Sequence, residues 1–180
     1  MVLSDVLEGK YVCMRSVNTD DAAFICDIRN DDNLNKFVHA VSPDIEAQKE
    51  WIRNQMSREN DYYFVVCSSD ESPVGLASIY DVDHDRGQAE FGRWVSRGNA
   101  LQNVETVVLA FDFAFDTLGV REVYMRTMMA NNTVRNFWEH FGAVSHGEIH
   151  EMGLALDRQV VSAEAYHGGL RDKSMRLLRR

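Results

Sequence analysis

Leu101, Val104, Val108, Phe111, Phe115 and Leu118 recur three and four residues apart and predict a helix with one apolar side, stopped by Gly119. Just ahead of it, Asn99 and Gln102 stand at the cap and third positions of a capping box. The same period marks "NTDDAAFICDIRN", capped by Asn18 with Ala22, Ile25 and Ile28 inward. A further helix follows Ser42-Pro43, with serine as cap, proline at the first helical position and Ile45, Ile52 and Met56 on one face. "NNTVRNFWEHFGA" predicts a short helix that turns Val134, Phe137, Trp138 and Phe141 inward and stops at Gly142.

Apolar and polar positions alternate instead in "YVCMRSV", "YYFVVC", "VGLASIY", "AEFGRWV" and "REVYMRTMM", which predicts strands. The segment "VSHGEIHEMGLALDRQVVSAEAYH" reads as two more strands around a turn near Leu156 to Arg158, and the tail "RDKSMRLLRR" as a solvated terminus. The expected fold is mixed α/β (α+β), a mostly antiparallel sheet of about seven strands flanked by about four helices. A single domain spanning residues 1–180 accommodates it.

Composition narrows the function. A formal net charge of −9 argues against nucleic acid, whose binding depends on basic patches, and mildly favours an amine-bearing partner. No apolar run approaches the roughly 20 residues of a membrane span, and the N-terminal residues lack a signal-peptide pattern, so a cytoplasmic location is expected. Cys13, Cys26 and Cys67 form no CxxC pair and read as buried small hydrophobes; no metal site is expected.

The order of elements, with an arginine-bearing polar loop after "AEFGRWV" and an "N...F...FGA" helix later, resembles the GCN5-related N-acetyltransferase superfamily over nearly the whole chain. "RSVNTDDAAFICDIRND", "YYFVV....SPVGLASIYDVD", "FAFDTLGV" and "NNTVRNFWEHFGA" are similar to the ribosomal-protein N-terminal acetyltransferases and, more closely, to the amino-sugar-nucleotide N-acetyltransferases of surface-polysaccharide pathways. This resemblance implies transfer of an acetyl group from acetyl-CoA to a primary amine, directly and without a metal, with an amino-sugar nucleotide of surface-polysaccharide biosynthesis as the expected acceptor. It leaves open a protein N-terminus or an aminoglycoside as acceptor, and also a non-catalytic acyl-CoA sensor.

It also implies a site. Arg97, Gly98, Asn99, Ala100, Leu101 and Gln102 stand where the family holds the pyrophosphate of coenzyme A, although Ala100 and Gln102 replace its small residues. A helix start offers unpaired amides and partial positive charge for such a group. Phe91, Gly92, Trp94 and Val95 would contact the pantetheine arm, with Gly92 suiting a bulge or a close backbone approach. Asn131, Arg135 and Trp138 would complete the cofactor side. Deprotonating the amine needs a base, for which Glu90 is the candidate. Trp138 occupies the position of the family's usual proton-donating tyrosine, and an indole cannot usefully give up its proton, which leaves Tyr124, water, or the proton of the product ammonium to serve the thiolate. On the acceptor side, Arg29, Asn30, Lys36 and His39 could meet phosphates of a nucleotide, with Asp81, Asp83 and His84 as a second polar cluster. The paired C-terminal strands offer an edge for a homodimer.

Overall fold

The computed structural model describes residues 1–38 and 40–179. Its strands are β1 (Leu7–Glu8), β2 (Val12–Ser16), β3 (Tyr62–Ser68), β4 (Pro73–Asp83), β5 (Gln88–Ser96), β6 (Glu122–Met128), β7 (Val144–Glu151) and β8 (Leu154–Ser162). They form one sheet in the order β1-β2-β3-β4-β5-β6-β8-β7, antiparallel throughout except between β5 and β6. The eighth strand, beyond the seven expected, is β1: two residues in an acidic stretch are too few to show alternation.

Alternation sorts the sheet residues onto two cores. Helices α1 (Ala22–Arg29) and α2 (Ile45–Met56) bury Ile25, Ile28 and Ile52 against Tyr63, Val65, Leu76 and Val95. On the other face, α3 (Ala100–Asp112) and α4 (Asn132–Phe141) bury Val107, Phe111, Trp138 and Phe141 against Phe64, Ile79, Phe91, Val123 and Met125. Asn18 caps the turn that leads into α1, and Asn99 and Gln102 close the capping box of α3. Asp44, not Ser42, caps α2, accepting from the amides of Glu46 and Ala47, so Pro43 lies outside the helix and Ile45 is exposed on its first turn.

The C-terminal third departs most from the pattern of the sequence. The hairpin turns at Met152 and Gly153, both at positive φ as a tight two-residue turn requires, and Leu156 to Arg158 lie inside β8. The chain then continues as α5 (Ala163–Ala165), a π turn over Tyr166–Leu170 and α6 (Arg171–Leu178), so the tail is a docked helix. Asp112 at the end of α3 holds it, accepting from the Tyr166 hydroxyl at 2.8 Å and from the Arg171 guanidinium at 2.7 and 2.8 Å. All three cysteines are free, Cys26 and Cys67 buried and Cys13 half-buried. Among the described residues no helix is long and apolar enough to cross a membrane.

Two irregularities in β5 shape the site. Leu76 pairs with Val95 but Ser78 with Gly92, so β5 carries an extra residue, and Arg93 absorbs it in a left-handed conformation with φ of 49°. Further, β5 and β6 pair only through Gln88–Glu122, Ala89–Val123 and Glu90–Tyr124. Beyond that last pair they run on unpaired to Ser96 and Met128, and the sheet opens into a fork.

Candidate active site

Glu90 and Tyr124 form the last pair before the fork, which puts both at its apex. Register sets Tyr80 of β4 on the other side of Glu90. Ala89 and Phe91 point into the α3 core, so the alternating Glu90 faces the opposite side of the sheet, where Arg126 reaches it from β6. Glu90 is only 3% exposed. Burial raises its carboxyl pKa, and hydrogen bonds from Arg126 and the Tyr80 hydroxyl pull the other way. Arg126 also pairs with Glu151 of β7 and lies 3.9 Å from Asp81, so its charge is shared among three carboxylates. Burial, and then the charge on Glu90, raises the pKa of the Tyr124 hydroxyl; Arg158 of β8 lies over the Tyr124 ring at 4.7 Å.

The β5 glycine has a different reason from a bulge. The bulge falls at Arg93; a Cβ on Gly92 would lie 2.7 Å from the Tyr80 hydroxyl, so its missing side chain makes room for the ring that bonds Glu90. Arg93 is tied down by Asp61 at 2.6 and 3.0 Å and lies 4.3 Å from the centre of the Tyr80 ring. Its backbone strain is thus held by a half-buried ion pair that braces Tyr80.

The loop before α3 is satisfied by its own side chains. Ser96 Oγ accepts from the Gly98 amide at 2.9 Å, Gln102 Oε1 from the Asn99 amide at 2.9 Å, and Asn99 Oδ1 from the amides of Leu101 and Gln102 at 3.0 and 3.1 Å. Arg97, expected beside these amides, turns instead to α1 and the loop after it, where Asp27 and Asp31 bind it at 2.6 and 2.9 Å. Two carboxylates within reach outcompete solvent for the guanidinium.

Nor do the other expected cofactor residues all meet at one surface. Phe91 and Val95 put their side chains into the two cores. Trp138 is buried 5.4 Å from Phe91 and stacked on Phe111, which places its indole in the core. Trp94 lies in the wedge between β5 and α4, against Phe137 and Trp138, and its buried indole N–H has no acceptor among the described residues. Asn131 caps α4 through the Val134 amide, and Arg135 is held by the buried Asp157 at 3.0 Å.

On the acceptor side, Arg29 is buried at the end of α1 and bonds the Tyr63 hydroxyl, whose pKa burial pushes up to about 12. Asn30 Oδ1 accepts from the Val41 amide, and Lys36 lies over the Phe37 ring. His39 lies outside the described residues. Asp81 faces Arg126 at the site, whereas Asp83 accepts from the Arg86 amide within its turn and His84 is exposed there.

Tyr80, Arg93, Arg126 and Arg158 join the site without a motif that marks them. A signal does exist for Arg126: in "REVYMRT" it shares the parity, hence the sheet face, of Tyr124. Arg158 falls in the expected turn and emerges only because the hairpin turns earlier, at Met152 and Gly153.

The family model of the acetyltransferase (GNAT) domain matches residues 12–144. No curated protein sequence matches the chain. Among solved structures, apo FdhC, described as a nucleotide-linked sugar GNAT, is 30% identical, covers 98% of this chain and 99% of its own, and superposes with a TM-score of 0.82. A GCN5-related N-acetyltransferase from Brucella melitensis, 16% identical, covers 98% of this chain and 86% of its own with a TM-score of 0.84. A point mutant of the spermidine N-acetyltransferase SpeG from Vibrio cholerae is 18% identical over 88% of this chain and 98% of its own with a TM-score of 0.75. At such identities the last two speak for the fold alone. The family match over most of the chain, and the end-to-end likeness to a GNAT at 30% identity, establish that this chain belongs to the GNAT family and is an N-acetyltransferase.

Proposed function

We propose that the protein acetylates the primary amine of a nucleotide-linked amino sugar, using acetyl-CoA. The observation that carries the reading is the fork between β5 and β6 with a buried carboxylate at its apex. Strands that part within a sheet leave backbone groups without partners, and a ligand rich in amides can supply them. The likeness to FdhC along nearly all of both chains supports the acceptor class.

The residues present suit coenzyme A. β5 beyond Glu90 has an open edge toward β6, and the orphaned indole N–H of Trp94 is a donor awaiting an acceptor in the adjoining wedge. The loop before α3 would hold the pyrophosphate once Arg97 leaves Asp27 and Asp31 and the side-chain caps give way. Bound acetyl-CoA supplies the acyl group as a thioester, and transfer forms the amide N–C bond as the C–S bond breaks. Glu90 takes the proton of the acceptor's ammonium, its basicity raised by burial and held in check by Arg126. Tyr124, paired with Glu90, presents a hydroxyl to the departing sulfur. Self-association would run through β7, an edge strand exposed at every position except the half-buried Ile149; sedimentation measures it.

Calorimetric titration with acetyl-CoA tests the cofactor side. Micromolar binding that weakens in Arg97→Ala, followed by turnover of nucleotide-linked amino sugars in preference to spermidine and peptides, is expected. Tight binding with turnover only of another amine overturns the acceptor class, and absence of binding overturns the reading as a whole.

A further inference from the structure

Arg158 stands out among the charged groups around the fork. It is half-buried on β8 with its Cα opposite Arg126. Arg126 is engaged by Glu90 and Glu151, but Arg158 has no carboxylate partner among the described residues. Its contact is the ring of Tyr124, which it covers at 4.7 Å, and Tyr124 pairs with Glu90. Ring stacking fixes a guanidinium in place while leaving its N–H edge available, and Arg presents that edge as a fork suited to phosphate. A partly desolvated cation without a counter-charge is costly, and a bound anion would offset that cost.

We propose that Arg158 grips a phosphate of the acceptor, holding the linked amino sugar with its amine toward Glu90. The inference rests on the acceptor class proposed above and adds the residue that reads it. Neighbouring strands lie about 4.8 Å apart, and Arg158 stands two residues along β8 from Val160, which is level with Tyr124 and Glu90, so the Glu90 and Arg158 backbones are about 12 Å apart across β6. The glutamate and arginine side chains close part of that gap, so an amine held at Glu90 and a phosphate held at Arg158 can belong to one sugar nucleotide. Glu90 therefore meets the amine while Arg158 selects for what is attached to the far side of the sugar.

Two measurements decide it, made on wild type, Arg158→Gln and Arg158→Lys with coenzyme A saturating. In the first, uridine and thymidine diphosphate are titrated calorimetrically, a readout independent of turnover. Binding to the wild type that weakens at least tenfold in Arg158→Gln and partly returns in Arg158→Lys is expected. No diphosphate binding, or equal binding by all three proteins, overturns the proposal. In the second, KM and kcat are compared for nucleotide-linked and free aminohexoses. Arg158→Gln is expected to raise KM for the linked sugar at least tenfold more than for the free sugar, and Arg158→Lys to restore part of that difference. An equal loss on both acceptors would instead mean that Arg158 merely supports Tyr124. Should the wild type acetylate neither sugar, the acceptor reading fails by itself, and the titration still decides whether Arg158 binds an anion.

Discussion

At the residue scale, Glu90 is governed by a contest between burial and Arg126. Burial raises the pKa of a carboxylate this deep, and hydrogen bonds from the Arg126 guanidinium and Tyr80 pull it back down. A base works deprotonated, so activity falls as pH falls through its pKa, and burial puts that acid limb above the ordinary carboxylate range. Removing the Arg126 guanidinium takes away a downward pull, so Arg126→Gln should move the limb in kcat/KM to higher pH. Glu90→Gln should lower kcat by about 10²- to 10⁴-fold and abolish the limb. A limb that persists in Glu90→Gln would assign the base elsewhere. The place of Glu90 near the start of a strand is legible in the sequence, from the alternation of "AEFGRWV". Its environment is not, since Tyr80 and Arg126 come to it from strands 10 positions earlier and 36 positions later, through register that no local pattern encodes.

At the element scale, local signals suffice where short-range chemistry decides. Asn99 with Gln102 and Asn18 with Asp21 cap as such residues should, because a side chain reaches an amide two or three positions on without help from the rest of the fold. The hairpin and the tail escape local reading for the opposite reason. Met152 takes a left-handed conformation before Gly153, an uncommon pairing, and α6 is held by Asp112, 59 positions before Arg171. If the loop seats a pyrophosphate as proposed, the α3 capping box competes with it, because its side chains already hold those amides. Gln102→Ala frees the Asn99 amide, one hydrogen bond of about 1 kcal/mol. Two opposed effects are expected: a lower Tm in thermal denaturation, and coenzyme A affinity raised by about fivefold in calorimetry. Stability and affinity falling together would show that Gln102 helps to hold the cofactor.

At the scale of the whole molecule, the sheet has two halves joined at one short parallel seam. β1 to β5 form an antiparallel run, β6, β8 and β7 another, and three residue pairs hold them together. The aromatic cluster of Phe91, Trp94, Phe111, Phe137, Trp138 and Phe141 backs that seam on the α3 and α4 side, so the fork can stay open without the halves separating. Antiparallel pairing with β4 protects only those β5 amides that point toward it; those on the β6 side beyond Glu90 have no strand partner. Hydrogen exchange should therefore find protection along β5 broken beyond Glu90 in the free protein. If the fork seats coenzyme A, adding it slows exchange at the β6-facing amides between Phe91 and Ser96 while β7, at the far edge, is unchanged. Slowing spread evenly over the sheet would mean global stabilisation by a ligand bound elsewhere. The pattern of exchange thus separates a cofactor in the fork from one that simply binds the fold.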